Sequence, residues 1–394
     1  MKSRALRRRS LPFFVFLAFL STATFFSPAT WAETAKSCQS VLGTDFVRLT
    51  PGVEPVLNYA PGQPFKMRGM TQNMKDLFYS SRELVPGTGI QPVAGGEREA
   101  KPKTRQKDKP EYQVRAIQKI LIEQRPLWLA AQELGGREGG ESVLNHPELQ
   151  NRYHLFHEPG NDSRGIDVGI YVSRALPFQF RYVSHKHLRW TDRWIQDGKP
   201  RELELPLFSR DFGVLLFFAP DAKPDSKPLM ALGVLHNKSK RHRDDSKGRV
   251  IDHEGSRLRT AQHEGIAKII EDYKALYGED FPFIIAGDFN TEVQTSKELG
   301  PVRQLTKSVF DIEEGDPDAP HERGTHAYFP RGKRPERDQI DDIRVSGQGV
   351  RIIEAQALDY VDGSGRRTEW PKNFDEREKQ HSDHKAVVVD MILK

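Results

Sequence analysis

The chain has 394 residues, with 60 lysines and arginines against 55 aspartates and glutamates. Its single cysteine, Cys38, excludes an intrachain disulfide, so a hydrophobic core must stabilise the fold. Five of the basic residues lie in positions 1–32, which contain no acid, and the rest of the chain carries 55 residues of each sign. This balance excludes attraction of a polyanion by net charge alone, so any such attraction must come from local basic patches.

The first 32 residues have the order of a secretory signal peptide. Basic positions up to Arg9 come first, a mostly apolar run covers 11–26, and small residues follow up to Ala32. The apolar run is shorter than the ~20 residues of a membrane span. We therefore predict cleavage near Ala32, a secreted or periplasmic protein, and no stable membrane span after processing. An uncleaved membrane anchor is the alternative.

Short apolar runs separated by loops begin at residue 65. Residues 33–64 are rich in Pro, Gly and small residues without a sustained period, which predicts an extended lead-in. Several of the later runs are continuous, as in strands covered on both faces. The predicted strands are 65–70, 127–132, 166–173, 212–218, 230–235, 283–286, 340–345 and 387–392.

Two segments have apolar residues at helical spacing. Segment 112–123 places Ile117 and Leu121 on one face, and segment 257–277 does the same with Ile266 and Ile270. Strands with interspersed helices and no break point predict one α/β sandwich over 65–394, with sheets inside and helices outside.

The most informative strand ends in Gly287-Asp288-Phe289-Asn290. Alternation on an extended backbone predicts that Asp288 and Asn290 project to the same side. A carboxylate beside a neutral amide suits activation of water next to a phosphate, because the carboxylate takes the proton and the amide adds no repulsion. A simple turn is the alternative, since these are common turn residues.

A second motif, His381-Ser382-Asp383-His384, comes immediately before the last predicted strand. Asp383 can supply a carboxylate to a metal, and His384 can direct an imidazole at a phosphoryl oxygen. A polar surface loop is the alternative interpretation.

Asn73 and Glu133 each follow a strand-like segment, so both can point into a common rim. Mg²⁺ takes oxygen ligands and commonly uses one or two protein carboxylates. The sequence has no His or Cys cluster with zinc spacing, so these residues favour Mg²⁺ over Zn²⁺. Otherwise such a glutamate is a solvated charge.

His236 follows an apolar run, and Asp341 lies in Gln339-Ile-Asp-Asp-Ile343. A carboxylate that points at an imidazole raises its basicity and fixes its tautomer. The alternatives are a hydrogen-bonded strand histidine and a surface acid.

The order of these motifs resembles the endonuclease/exonuclease/phosphatase superfamily, with its pancreatic-deoxyribonuclease-like fold. The resemblance covers 65–394, and the stretch 162–170 is similar to secreted bacterial members. It implies a four-layer α/β/β/α sandwich, with two mixed sheets packed face to face and helices outside, and a metal-dependent phosphoester hydrolase. Gln72, Asn237 and Asp342 depart from the family pattern, and Asp342 leaves open which aspartate pairs with His384.

The resemblance also implies roles for the motif residues. Glu133 would be the main ligand of Mg²⁺, or of Mn²⁺ as a substitute, and Asn73 and Asp383 would support it. Asp288 would activate the attacking water, and Asn290 would orient it. His236 and Arg164 would contact the scissile phosphate. His384, held in place by Asp341, would contact it as well.

The substrate is not fixed by such a fold. The basic loop 238–249, with Lys238 as a substrate contact, and the basic and aromatic segment 179–194 suit a nucleic-acid groove. We therefore predict a nuclease acting on DNA or RNA, and a monomer. The alternatives are a secreted sphingomyelin or phospholipid phosphodiesterase or phosphatase, and a catalytically silent binding module.

Overall fold

The structure is a computed structural model, and it describes residues 46–79, 107–244, 248–312, 323–329 and 335–394. The predicted signal peptide lies outside the described residues. The strands are β1 Val47–Arg48, β2 Phe65–Leu77, β3 Trp128–Leu134, β4 Tyr153–His157, β5 Asp167–Ser173, β6 Gln179–Val183, β7 Arg189–Gln196, β8 Lys199–Pro206, β9 Gly213–Phe218, β10 Met230–His236, β11 Arg243–Asp244, β12 Val250–Asp252, β13 Phe283–Asp288, β14 Lys307–Ser308, β15 His326–Tyr328, β16 Glu336–Asp338, β17 Asp341–Ser346, β18 Val350–Ala357, β19 Tyr360–Val361, β20 Arg367–Thr368 and β21 Val387–Leu393. The helices are α1 Glu111–Gln124, α2 Gly136–Ser142, α3 Ser256–Tyr277, α4 Gly300–Leu305, α5 Val309–Ile312 and α6 Phe374–Arg377, with 3₁₀ turns at His253–Gly255 and Lys297–Leu299.

Two large sheets contain most of these strands. The first has seven strands in the order β1-β6-β9-β10-β13-β17-β14, and β10 and β13 are parallel within it. The second has six strands in the order β18-β21-β2-β3-β5-β4, and β2 and β3 are parallel. The other neighbouring strands are antiparallel, so both sheets are mixed, as predicted.

The inner faces of the two sheets form the central core. Trp128 and Ile170 of the second sheet belong to the same buried cluster as Phe217 and Ile284 of the first. Each such side chain contributes about 1.5–3 kcal/mol when it is removed from water. Because both inner faces are apolar, the two sheets pack face to face.

Helices cover the outer faces. Ile117 of α1 packs with Leu129 of the second sheet, and Ile270 of α3 packs with Ile285 of the first. These contacts complete the four layers, and the predicted α/β/β/α sandwich is confirmed. Among the described residues, no helix is long and apolar enough to cross a membrane.

The strong apolar patterns predicted their elements well. All eight predicted strands lie in the two large sheets, and both predicted helices are present with ends shifted by one residue or less. The sequence analysis missed β4, β6 and β18 and the β7–β8 hairpin. Part of the predicted lead-in, β1, pairs with β6 at the edge of the first sheet.

Candidate functional site

The predicted polar residues meet at one edge of the sandwich. In the first sheet, β10 and β13 end there and β17 begins there. The strand register pairs His236 with Asp288, and Asp288 with Asp341. Three neighbouring strands therefore present one imidazole and two carboxylates in a single row, and all three side chains are buried.

Gly287 fixes the position of Asp288 against the neighbouring strand. A Cβ atom at Gly287 would lie 2.1 Å from the carbonyl oxygen of Leu235, and the φ of 148° favours glycine. This close approach keeps β10 and β13 paired up to their last residues.

The second sheet supplies Asn73 and Glu133. The pairing register of β2 and β3 breaks after Asn73, and that of β3 and β5 breaks next to Glu133, whose φ is 60°. Such bulges redirect side chains next to functional sites. Here they bring Asn73 Nδ2 within 3.2 Å of Glu133 Oε1 and 3.1 Å of Asp288 Oδ2, so the two sheets meet at the site.

Asp288 accepts hydrogen bonds at both carboxylate oxygens. The backbone N–H of Asn290 donates to Oδ1 at 2.7 Å, and Nδ2 of Asn290 donates to Oδ2 at 3.0 Å. The two side chains lie on the same side, as predicted, but the extended alternation was the wrong reason. Asn290 has a φ of 53°, which turns the chain back toward Asp288.

The environment of Asp288 raises its pKa to about 7. Burial raises the pKa of this carboxyl group, and the charges of Asp341 and Glu133 raise it further, against the opposing charge of His384. Perturbed carboxyl groups of this kind are typical of proton-transfer sites.

Asp341 and His384 form the closest side-chain pair of an acid and an imidazole in this cluster. His384 Nδ1 lies 2.7 Å from Asp341 Oδ2. Burial alone would lower the pKa of His384, but the charge of Asp341 and its hydrogen bond raise it above the ordinary value. The contact with Asp341 therefore favours the charged imidazole, which donates its N–H groups.

His236 differs from His384 in its charge state. Its Nε2 lies 3.5 Å from Asp288 Oδ2 and 3.7 Å from Glu133 Oε1. Burial lowers the pKa of His236 well below the ordinary value, and the nearby charge of Arg210 lowers it further. Its Nδ1 has no hydrogen-bond partner among the described residues. Burial and the charge of Arg210 both favour the neutral imidazole of His236.

The donor set around Glu133 fits a hard divalent cation. Burial raises the pKa of Glu133, and Asp383 and Asp76 add repulsion, so the carboxylates crowd one another. Glu133 and Asp383 offer carboxylate oxygens, the ligands that Mg²⁺ prefers. Asn73 instead directs its Nδ2 at Glu133, and its Oδ1 accepts the backbone N–H of Lys75 at 2.9 Å. A cation here would relieve the repulsion, so the residues present fit the expected metal.

The two residues predicted to contact the substrate, Arg164 and Lys238, have different partners in the structure. Arg164 is half-buried, and its guanidinium donates to both oxygens of Asp162. Lys238 donates its ammonium to the carbonyl oxygens of Ser239 and Arg241 in its own loop, instead of facing the cluster. In this structure both predicted cations therefore contact protein oxygens.

Sequence reasoning missed Arg210. This buried side chain pairs with Asp162 at 3.0 Å and donates to the carbonyl oxygen of Asn237 at 3.2 Å, next to His236. It supplies positive charge beside the two imidazoles and carboxylates. A cation in the short segment between β8 and β9 was the available sequence signal.

His326 was also missed. Its ring centroid lies 4.8 Å from that of His384, and its ring nitrogen lies within 4.8 Å of ligand atoms of both Asp383 and His384. It stands in a short hairpin strand with little apolar pattern, so the sequence offered no strong signal for it.

The segment 179–194 does not form the predicted groove over its first half. Arg181 is buried with its guanidinium over the rings of Phe46 and Phe218, and His185 is buried against the carbonyl oxygen of Phe212. These residues belong to β6 and its surroundings, so burial takes them away from any polymer. Among the later residues, Arg189 is exposed.

No protein-family model matches this chain, and no curated protein matches it. Its fold is similar to TDP2 from Caenorhabditis elegans, at 15% identity and a TM-score of 0.48, with 84% of this chain and 76% of that chain covered. It is also similar to D. rerio TDP2 complexed with a single-strand DNA product, at 14% identity and 0.47, with 83% and 98% covered. An endonuclease/exonuclease/phosphatase family protein from Bacteroides thetaiotaomicron is similar at 14% identity and 0.48, with 84% and 96% covered. Likenesses at this level decide neither the activity nor the substrate of this chain.

Proposed function

We propose that this chain is an exported, Mg²⁺-dependent phosphodiester hydrolase, and specifically a nuclease acting on DNA or RNA. The observation that carries the proposal is the setting of Asp288. Its carboxylate is buried, fixed by Asn73 and Asn290, and placed in one row with His236 and Asp341. The order of the motifs along the sequence and the four-layer fold agree with this chemistry.

Asp288 is the proposed proton acceptor for the attacking water. Three hydrogen bonds fix the orientation of its two oxygens, and burial raises its pKa toward the range in which a carboxylate is an effective base. Asn290 donates to this carboxylate and to the carbonyl oxygen of Asn237, so its amide is rigid. A neutral amide can orient water without repelling a phosphate.

The two histidines have complementary roles. His384 is charged because Asp341 supports it, so its Nε2 can donate to a phosphoryl oxygen or to the leaving oxygen. His236 is neutral and can accept or donate a hydrogen bond at Nε2 without adding charge. Arg164 and Arg210 bring positive charge to the same edge.

Glu133 and Asp383 would hold the cation, and Asn73 would support them once its amide oxygen turns toward it. When bound, Mg²⁺ stabilises negative charge on the phosphoryl oxygens. The carboxylate of Glu133 is fixed in position, because its Oε2 also accepts the backbone N–H of Asp76 at 2.9 Å.

Local positive charge next to His236 favours a polymer of phosphates. Arg241 is exposed in the loop that follows β10, and Lys240 is half-exposed beside it, 3.6 Å from Asp338. Both cations follow His236 within five residues along the chain. Salt-dependent attraction of a phosphate backbone needs such a local patch, because the predicted processed chain is neutral.

The lipid alternative lacks a matching surface in the hairpin. The β7–β8 hairpin exposes Ile195 at 71% and Leu203 at 45%, but the strand register pairs Ile195 with Pro200 and Leu203 with Asp192, so the two side chains lie on opposite faces of the hairpin. They do not form one apolar patch of the kind that contacts a lipid surface.

One experiment separates these functions. Plasmid DNA, RNA and sphingomyelin vesicles are incubated with the processed protein in Mg²⁺ and in EDTA. We expect cleavage of a nucleic acid in Mg²⁺ and none in EDTA. Cleavage of sphingomyelin with both nucleic acids intact would replace the nuclease by the lipid phosphodiesterase. Intact substrates in all samples would contradict both.

A further inference from the structure

A separate cavity of about 180 Å³ lies beside the first sheet. Arg303 of α4, Ser308 of β14, Asp311 of α5 and Arg344 of β17 line it, and Arg323 closes one side. Since one water occupies roughly 30 Å³, the cavity can hold a small polyatomic ion together with waters.

The cavity lies on the opposite side of β17 from the proposed active site. Successive side chains of a strand point to opposite faces. Ile343 and Val345 pack into the core between the sheets, so Arg344 points outward, whereas Asp341 reaches His384. The cavity is therefore a site of its own.

Protein contacts hold each guanidinium in place. Arg303 donates to the carbonyl oxygens of Val293 and Gln294, which belong to the loop after β13. Arg323 donates to the carbonyl oxygen of Phe310. These contacts restrict the side chains before any ligand arrives, which reduces the entropy lost on binding.

Arg344 is the most firmly fixed of the three. It is buried, donates to Asp342 Oδ2 at 2.9 Å, and donates to the hydroxyl and carbonyl oxygens of Thr306 at 3.0 and 3.2 Å. Asp342 therefore balances the charge of this arginine from beneath the cavity.

Among the described residues, the charges around the cavity do not balance. Three guanidinium groups line it, but Asp311 pairs with Arg323 and buried Asp342 pairs with Arg344, so the surplus is one positive charge, that of Arg303. A guanidinium has five N–H donors, and the protein contacts above use only part of them. Planar donors with surplus positive charge match the oxygens of a phosphate group.

We propose that this cavity binds a phosphate group. Its source is either free inorganic phosphate or one phosphate of a polynucleotide chain that extends past the loop after Asn290. The site does not depend on the proposed hydrolysis, because none of its lining residues belongs to the catalytic cluster.

The test uses Arg303→Gln and Arg323→Gln, which remove cations without touching the buried Arg344. Arg115→Gln is the matched control, because Arg115 is an exposed arginine paired with Glu111 on α1. Thermal melting first establishes that each variant is folded. Inorganic phosphate is then titrated by calorimetry in EDTA, and a labelled single-stranded oligonucleotide by fluorescence anisotropy in EDTA at several salt concentrations.

For free phosphate, we expect both variants to bind inorganic phosphate about tenfold more weakly than the wild type and Arg115→Gln. If the cavity binds a phosphate of a polymer, the variants and the wild type would bind inorganic phosphate equally. The variants would bind the oligonucleotide more weakly, and the dependence of their binding constant on salt concentration would have a slope smaller by about one unit. Wild-type values for both ligands in both variants would overturn the proposal. If the oligonucleotide is cleaved in EDTA, the proposed metal dependence is wrong. The titration with inorganic phosphate still decides whether the cavity binds a phosphate group.

Discussion

Asp341 accepts a hydrogen bond from Nδ1 of His384 at 2.7 Å, across the gap between β17 and the segment before β21. The next residue, Asp342, points the other way and pairs with Arg344. Strand alternation thus separates two adjacent aspartates into two environments. One holds the imidazole of the proposed site, and the other is part of an internal ion pair.

The two aspartates should therefore respond differently to the same change. Asp341→Asn removes the charge that supports the His384 imidazolium, so we expect turnover to fall by about 10²-fold with little change in KM. Steady-state kinetics on the best nucleic-acid substrate measures this. The pKa of His384, followed by NMR, should fall as well.

Asp342→Asn is the control for this prediction. It weakens a buried ion pair, so we expect the free energy of unfolding to fall by about 1–3 kcal/mol, with turnover largely kept. Urea denaturation measures the change. Equal losses of turnover in folded samples of the two variants would show that the Asp341–His384 pair has no special role.

Metal removal tests the oxygen-ligand assignment. We expect activity to disappear in EDTA and to return with Mg²⁺ or Mn²⁺, because Glu133 and Asp383 offer hard oxygen donors. Glu133→Gln should raise the Mg²⁺ concentration needed for half-maximal activity by about tenfold or more. Rescue by Zn²⁺ alone, or full activity in chelator, would refute this assignment.

Stability should decline in acid because of buried histidines. Burial lowers the pKa of His263 from 6.5 to about 3, so the folded state keeps this ring neutral. The unfolded chain takes up the proton below about pH 6.5, and the folded state does so only near pH 3. The free energy of unfolding therefore falls as pH decreases through this window, by about 1.4 kcal/mol per pH unit at most for one group.

His263→Phe keeps a ring against Phe289 and removes the titrating group. Urea denaturation between pH 4 and 7 should give a shallower decline than in the wild type. His187→Gln, at an exposed position, should leave the wild-type decline unchanged. An identical pH dependence for His263→Phe and the wild type would remove His263 from the explanation.

Export remains a prediction from residues 1–32. Expression with the native N-terminus should yield a processed protein that begins near Glu33, because the cleavage site is predicted at Ala32. N-terminal sequencing of the exported fraction measures this. An intact Met1 on membrane-bound protein would instead support the uncleaved anchor.

The sequence predicted the elements that bury continuous apolar runs. Strands such as β9 and β13 are apolar on both faces, so their identity does not depend on distant contacts. The β7–β8 hairpin is largely exposed and has no such pattern, and it was missed for that reason. Basic and aromatic residues in β6 were misleading, because Arg181 is buried by ring contacts that composition does not reveal.

The site was predictable where polar residues end apolar strands. His236, Asp288 and Glu133 follow that rule, and the structure brings them together. Arg210 and His326 reach the same edge from segments without a strong pattern, so only the fold reveals them. The choice between Asp341 and Asp342 likewise needed the register of β17, which a one-residue shift would have reversed.

Asp288 is the proposed proton acceptor, and Asp288→Asn tests this role most directly. The change keeps the size of the side chain and removes the acceptor charge, so turnover should fall by ~10²-fold or more. Binding of an uncleaved oligonucleotide in EDTA should be unchanged or tighter, because a negative charge is lost. An Asp288→Asn protein with wild-type turnover would contradict the proposed mechanism.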